Sequence, residues 1–266
     1  MNIGFLGAGN MGGAILRGYA KTDVAKKNQL YVFGVNHEKL KSTCKETGAV
    51  ACYEIEELVK KSDIFLIGVK PDKFDEVMPK IAKVYTKDKI CVSMAAGISM
   101  EFIESYLGDK AAIVRIMPNT PAQVGFAMTS VSLNKNIKKE NIDTLMNIFG
   151  SIGKAEIVDE KLIHTVIGVS GSSPAYTYMY IDALAKSAAS RGMTYEQAKT
   201  FAAQAVLGAA KMVLESEETP EKLRINVCSP GGTTIQAVNK LQELKFDDII
   251  DEAFCATMNK SKEMER

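Results

Sequence analysis

Residues Ile3 to Gly12 read IGFLGAGNMG, an apolar run interrupted by Gly7, Gly9 and Gly12 in the order G-x-G-x-x-G. No other stretch restricts the fold so tightly. A strand has to stop at Gly7, turn sharply, and begin a helix that packs against the strand it has just left. Gly7 permits the turn, Gly9 leaves backbone open to a ligand, and Gly12 allows close helix–sheet contact. Leu6, Gly7, Ala8, Gly9, Asn10, Met11 and Gly12 are therefore the first candidate binding residues. Free N–H groups at a helix start, at the positive end of its dipole, suit the pyrophosphate of a dinucleotide.

The same alternation continues downstream. Short apolar runs at Asn2 to Leu6, Leu30 to Phe33, Ile64 to Val69, Ile90 to Ser93 and Ala112 to Met117 read as strands. Amphipathic segments such as Glu38 to Glu46, Asp72 to Lys83 and Met100 to Leu107 lie between them. That order predicts a parallel sheet with right-handed crossovers and helices on both faces. Two more runs, Ala127 to Leu133 and Ala155 to Val158, flank a helical segment from Lys138 to Phe149 and extend the sheet. After residue 160 the strand signal stops and Ala, Met and Leu dominate. The expected class is α/β, an N-terminal Rossmann-type doubly wound sheet over residues 1–160 followed by an all-α domain over 161–266.

Length and composition agree. The 266 residues make roughly two domains at a typical size of about 150. With 33 basic and 32 acidic residues the net charge is +1, and there is no Trp, so neither a nucleic acid nor an anionic membrane is an expected partner. The five cysteines (44, 52, 91, 228, 255) form no C-x-x-C pair, and the two histidines, His37 and His164, stand far apart. Neither a disulfide framework nor a metal site is expected. Asn2 already opens an apolar run with no basic n-region, which points to the cytoplasm. Residues 116–134 and 162–181 are uncharged over a bilayer's length, but their Pro, Gly, Asn and Ser content opposes insertion. From Thr200 to Ala210 the chain carries no charge for three turns, so this helix should be covered on most of its circumference. Either a second subunit covers it or it is the central helix of a monomeric bundle.

The end of the second strand, YVFGVNHEKL, places Asn36 where an NAD-selective site would carry an acid. Asn36 can donate to a phosphate oxygen, which favours NADPH and leaves NADH possible; no arginine is at hand to clamp that phosphate. Gly68, Val69, Lys70 and Pro71 follow one strand, and Ala95 and Ala96 another, so both groups should border the same crevice. Lys70 reads equally as a phosphate or ribose contact and as a solvated turn lysine. Asn119, beyond the sixth strand between Pro118 and Pro121, either contacts the ligand or supports the loop.

Three further segments exceed what composition explains: RIMPNTPA from Arg115, GVSGSSPAYTY from Gly168, and CSPGGTTIQAV from Cys228. The last opens a helix with two glycines, a backbone arrangement that offers N–H groups to a small anion. In this order and spacing, with GFLGAGNMG and GVKP, they resemble the pyrroline-5-carboxylate reductase family over nearly the whole chain. The resemblance implies reduction of L-1-pyrroline-5-carboxylate to L-proline by hydride transfer from NADPH, in a homodimer that assembles further into a decamer, with the active site at the dimer interface. It also implies that Ser229 and the backbone of Gly231, Gly232 and Thr233 hold the substrate carboxylate, while the Thr234 hydroxyl faces the ring nitrogen. The chain departs from some family members at Tyr53-Glu54-Ile55, where an asparagine on the adenine side is missing. A β-hydroxyacid dehydrogenase is disfavoured, because no lysine lies within Gly171 to Thr177 and Lys186 comes several turns later. A nucleotide-binding regulatory protein would not need an intact SPGGTT segment.

Overall fold

The computed structural model describes residues Met1–Arg266. Contacts group them into two compact units, Met1–Ser172 together with Thr257–Arg266, and Ser173–Ala256. Unit 1 is built on one eight-stranded sheet: β1 (Asn2–Leu6), β2 (Gln29–Phe33), β3 (Val50–Cys52), β4 (Ile64–Ile67), β5 (Ile90–Ser93), β6 (Ala112–Met117), β7 (Ala127–Leu133) and β8 (Gly153–Ile157). The strand order is β3-β2-β1-β4-β5-β6-β7-β8. The chain thus runs outward from β1 in one direction, then returns beside β1 to run in the other. Between β1 and β4 lies the switch point, outside whose carboxyl ends open α/β sheets bind their ligands.

The strands buried on both faces are the uninterrupted apolar runs of the sequence, as parallel sheets covered by helices require. In β4, Ile64 and Leu66 face one core with Ile3, Phe5, Val92 and Val114. Phe65 and Ile67 face the other. Helices α1 (Asn10–Ala20) and α2 (His37–Thr47) lie on the first side through Ile15, Leu16 and Leu40. Helices α3 (Ile55–Lys61), α4 (Phe74–Ala82) and α5 (Met100–Leu107) cover the second through Leu58, Met78 and Ile103. Helix α6 (Lys139–Gly150) returns to the first side through Leu145, Ile148 and Phe149.

One pairing breaks the parallel pattern: β6 and β7 are antiparallel. Only residues 118–126 connect them, too few for a helical crossover. β8 then pairs parallel with β7 across α6. Strand β3 and helix α3 are additions to the sequence expectation. β3 has three residues at the sheet edge, just after Gly48 ends α2 with φ +72°, and so short a run carries no alternation to read.

Unit 1 continues through α7 (Ile163–Val166) and a π turn at Ile167–Gly171. Unit 2 holds α8 (Ser173–Ala189), α9 (Tyr195–Glu215), α10 (Pro220–Asn226), α11 (Thr233–Glu243) and the first part of α12 (Phe246–Glu263). Thr194 starts α9 with a capping box to Gln197, and Thr219 caps α10 with Pro220 in its first turn. Helices α8 and α9 pack on each other, and Ala185, Ala198 and Ala202 are buried. The rest of α9 is not covered within the chain. Phe201 is 71% exposed, and Leu207, Met212 and Leu214 are exposed as well, which excludes the central helix of a monomeric bundle. No helix is long and apolar enough to cross a membrane.

Candidate active site

At the end of β1 the backbone turns at Gly7 with φ +100° and hands its N–H to the Phe33 carbonyl at 2.9 Å. A Cβ at Gly12 would fall 2.3 Å from the Gly7 oxygen, one at Gly68 2.7 Å from that same atom, and one at Gly7 2.9 Å from the Gly68 oxygen. Three glycines therefore exist so that the β1 turn, the start of α1 and the end of β4 can touch. Gly9 differs: a Cβ there would meet nothing within 4 Å. It sits at the N-cap of α1, which has no side-chain cap and no acidic residue in its first turn. The open space at Gly9, in front of uncapped helix N–H groups, fits a pyrophosphate group. Ala8, Asn10 and Met11 surround this opening in sequence, with Asn10 exposed. Leu6 contributes only its carbonyl, which accepts the Gly68 N–H at 2.8 Å; its side chain is in the core shared with Phe65 and Ile67, because β1 turns it to that face.

Beside the turn, a groove of about 170 Å³ is lined by Gly7, Gly9, Asn36, Lys39, Leu40 and Thr43, among others. The Asn36 side-chain oxygen accepts the Lys39 N–H at 2.9 Å and so caps α2, and the residue as a whole is exposed. Lys39 is the cation on this wall. Sequence reasoning passed over it while looking for an arginine at the strand end. The available signal was that a cap at Asn36 places Lys39 in the first turn of α2. His37 and Tyr53 meet edge to face at 5.5 Å, joining the ends of β2 and β3.

The neighbouring strand ends complete this side. Gly68 and Val69 are half-buried, Lys70 is exposed, and Pro71 opens a short 3-10 turn. After β5, Ala95 is buried, with its N–H on the Ser93 hydroxyl at 3.3 Å, and Ala96 is half-buried. Asn119 is nearly buried and its amide forms a bracket: Nδ2 donates to the Ser170 carbonyl at 3.0 Å, and Oδ1 accepts the Met128 N–H at 3.0 Å. Through this bracket Asn119 supports the loop, tying the β6–β7 connection to the π turn, and such turns are common at functional sites.

Unit 2 carries the other candidate segment. Ser229, Pro230, Gly231 and Gly232 form a turn in which Gly231 has φ +71° and the Gly232 N–H returns to the Ser229 carbonyl at 3.0 Å. Pro in the second place and a left-handed Gly in the third are what a type II turn demands. A Cβ on Gly232 would lie 2.8 Å from the Ser229 hydroxyl oxygen, so glycine keeps that hydroxyl next to the helix start. Helix α11 begins at Thr233 with no side-chain cap and no acid in its first turn. Ser229, Thr233 and Thr234 are exposed in the single chain. Chemically, each unit thus presents an uncapped, glycine-opened helix start suited to an anion.

A family model described as pyrroline-5-carboxylate reductase dimerisation matches residues 160–264, and one described as NADP oxidoreductase, coenzyme F420-dependent, matches residues 2–97. The chain is 42% identical over 264 residues to the pyrroline-5-carboxylate reductase of Escherichia coli K12, covering 99% of this chain and 98% of that one. A pyrroline-5-carboxylate reductase structure from Coxiella burnetii superposes with a TM-score of 0.94 at 32% identity, covering 100% and 98% of the two chains. The Plasmodium falciparum pyrroline carboxylate reductase, solved with NADP bound, gives 0.86 at 30% identity over 100% and 98%.

Proposed function

The chain belongs to the pyrroline-5-carboxylate reductase family, and from that premise we propose how its residues divide the work of reducing L-1-pyrroline-5-carboxylate to L-proline with NADPH. Residues 1–160 seat the cofactor and residues 161–266 supply the substrate-binding and dimerisation helices. When bound, NADPH delivers a hydride from C4 of its nicotinamide to the imine carbon. The imine enters protonated at nitrogen, so the transfer leaves a neutral secondary amine that takes up a proton from solvent.

The chain's part is placement. The N–H groups of α1 at Gly9, Asn10 and Met11 hold the pyrophosphate, supported by the turn at Gly7 and the Gly12 contact. Lys39 and the Asn36 amide face the 2′-phosphate, and Lys70, Pro71, Ala95 and Ala96 border the nicotinamide ribose. In unit 2, Ser229 and the N–H groups of Gly231, Gly232 and Thr233 bind the substrate carboxylate, and the Thr234 hydroxyl accepts from the ring N–H and orients it. The observation that carries this assignment is the open, uncapped start of α11 beneath a Pro-Gly-Gly turn. We place the enzyme in the cytoplasm, as a homodimer that associates further into a decamer.

Initial rates of NADPH and NADH oxidation with pyrroline-5-carboxylate test the reading. NADPH should give the higher kcat/KM. Thr234→Ala should lower kcat while KM for NADPH changes less than twofold, by the logic that an interaction made in the transition state is lost from turnover. Unchanged kcat would remove Thr234 from the mechanism.

A further inference from the structure

Residues Met264–Arg266 lie along the loop that follows β5. The Arg266 N–H donates to the Gly97 carbonyl at 2.9 Å, and the Arg266 carbonyl accepts both the N–H and the hydroxyl of Ser99 at 3.0 Å. Gly97 has φ +77°, and a Cβ on it would fall 2.5 Å from the Met264 oxygen. The glycine is thus demanded twice, by its own backbone and by the segment lying on it.

The Arg266 side chain reaches the other strand end. Nη1 donates to Asp75 in α4 and Nη2 to the Pro71 carbonyl, both at 2.9 Å, while the guanidinium lies 5.2 Å over the Phe102 ring in α5. One residue therefore fastens the turn after β4 to the turn after β5. Glu265 anchors the segment from behind: Oε1 accepts from Arg115 at 2.7 Å, and Oε2 lies 3.0 Å from His164 Nε2. His164 Nδ1 in turn meets the Ser261 hydroxyl at 2.9 Å.

We propose that Arg266 is a positioning residue for cofactor binding, setting the spacing between the Gly68–Pro71 and Ala95–Gly97 loops that admit the nicotinamide ribose. This rests on the assignment of those loops to the cofactor. The alternative, a contact that only adds stability, conflicts with exposure: the Arg266 and Asp75 side chains are 43% and 58% exposed, and such ion pairs contribute little to folding. What the fork supplies is geometry, which a rigid planar guanidinium holds and a lysine does not.

The test compares Arg266→Ala, Arg266→Lys and Ala96→Val with the unaltered enzyme, measuring KM and direct binding of NADPH, KM for the imine, and Tm. Arg266→Ala should weaken NADPH by roughly 3- to 30-fold, the range typical of residues acting through a packed network. KM for the imine should stay within about twofold and Tm within about 2 °C. Arg266→Lys should fall between, keeping the charge toward Asp75 but losing the second bond to Pro71. Unchanged NADPH affinity in Arg266→Ala, with Ala96→Val weakening it, overturns the positioning role alone. If Ala96→Val also binds NADPH normally, the assignment of the loops fails, and the proposal with it. A fall in Tm with unchanged affinity reduces Arg266 to a structural contact.

Discussion

Among the glycines of the first turn, the atoms around each position set different outcomes for the same substitution. Gly12→Ala pushes a methyl against the Gly7 carbonyl and should destabilise the fold by about 1–3 kcal/mol, seen as a lower Tm without cofactor. Gly9→Ala meets no atom and should leave that Tm alone, while NADPH raises it less than in the wild type. The spacing G-x-G-x-x-G announced all three positions and this division between open and closely packed glycines; what it left hidden is that Gly68, at the end of β4, shares the contact. Lys39 gives the complementary case. Lys39→Ala should raise KM for NADPH roughly tenfold, an exposed charge-assisted phosphate bond being worth somewhat over a kcal/mol, with KM for NADH unchanged. Its position depends on helix register, which Asn36 sets by capping, so a search for cations at strand ends missed it.

β6 contains the fold's most unexpected side chain. Within AIVRIM, Arg115 is only 1% exposed, and its Nη1 pairs with Glu160 at 2.9 Å and with Glu265 at 2.7 Å. Those partners stand 45 and 150 residues away, which is why the strand was legible from its apolar run and the ion pair was not. Burial pushes the Glu265 carboxyl up, but the Arg115 hydrogen bond and charge, joined by His164, outweigh it and hold the group below its ordinary range. A carboxyl lowered by folding stabilises above its unfolded value of about 4.3 and loses that contribution as pH falls through the folded value. Urea melts of the wild type and Glu265→Gln should therefore differ most near neutrality and converge below about pH 4. The antiparallel β6–β7 pair was likewise readable in principle from the short connection, whereas three-residue β3 left no pattern to find.

The two-part architecture was plain in the sequence, since strand-like runs end where Ala-rich helices begin. Hidden there was the return of residues Thr257–Arg266 to unit 1, because contacts between distant segments leave no mark on composition. The uncharged stretch of α9 asked for a covering that the single chain does not provide. Phe201→Glu should accordingly shift the sedimentation profile toward monomer at micromolar concentration, and the same variant should lose reductase activity in parallel if the site forms only in the dimer. The short pairing of Arg266 with Gly97 and Ser99 also bears on how the protein is handled. A purification tag joined directly after Arg266 would begin against Gly97 and Ser99 and should weaken NADPH binding, whereas one ahead of Met1 begins at the amino end of the central strand β1 and should leave the kinetics intact.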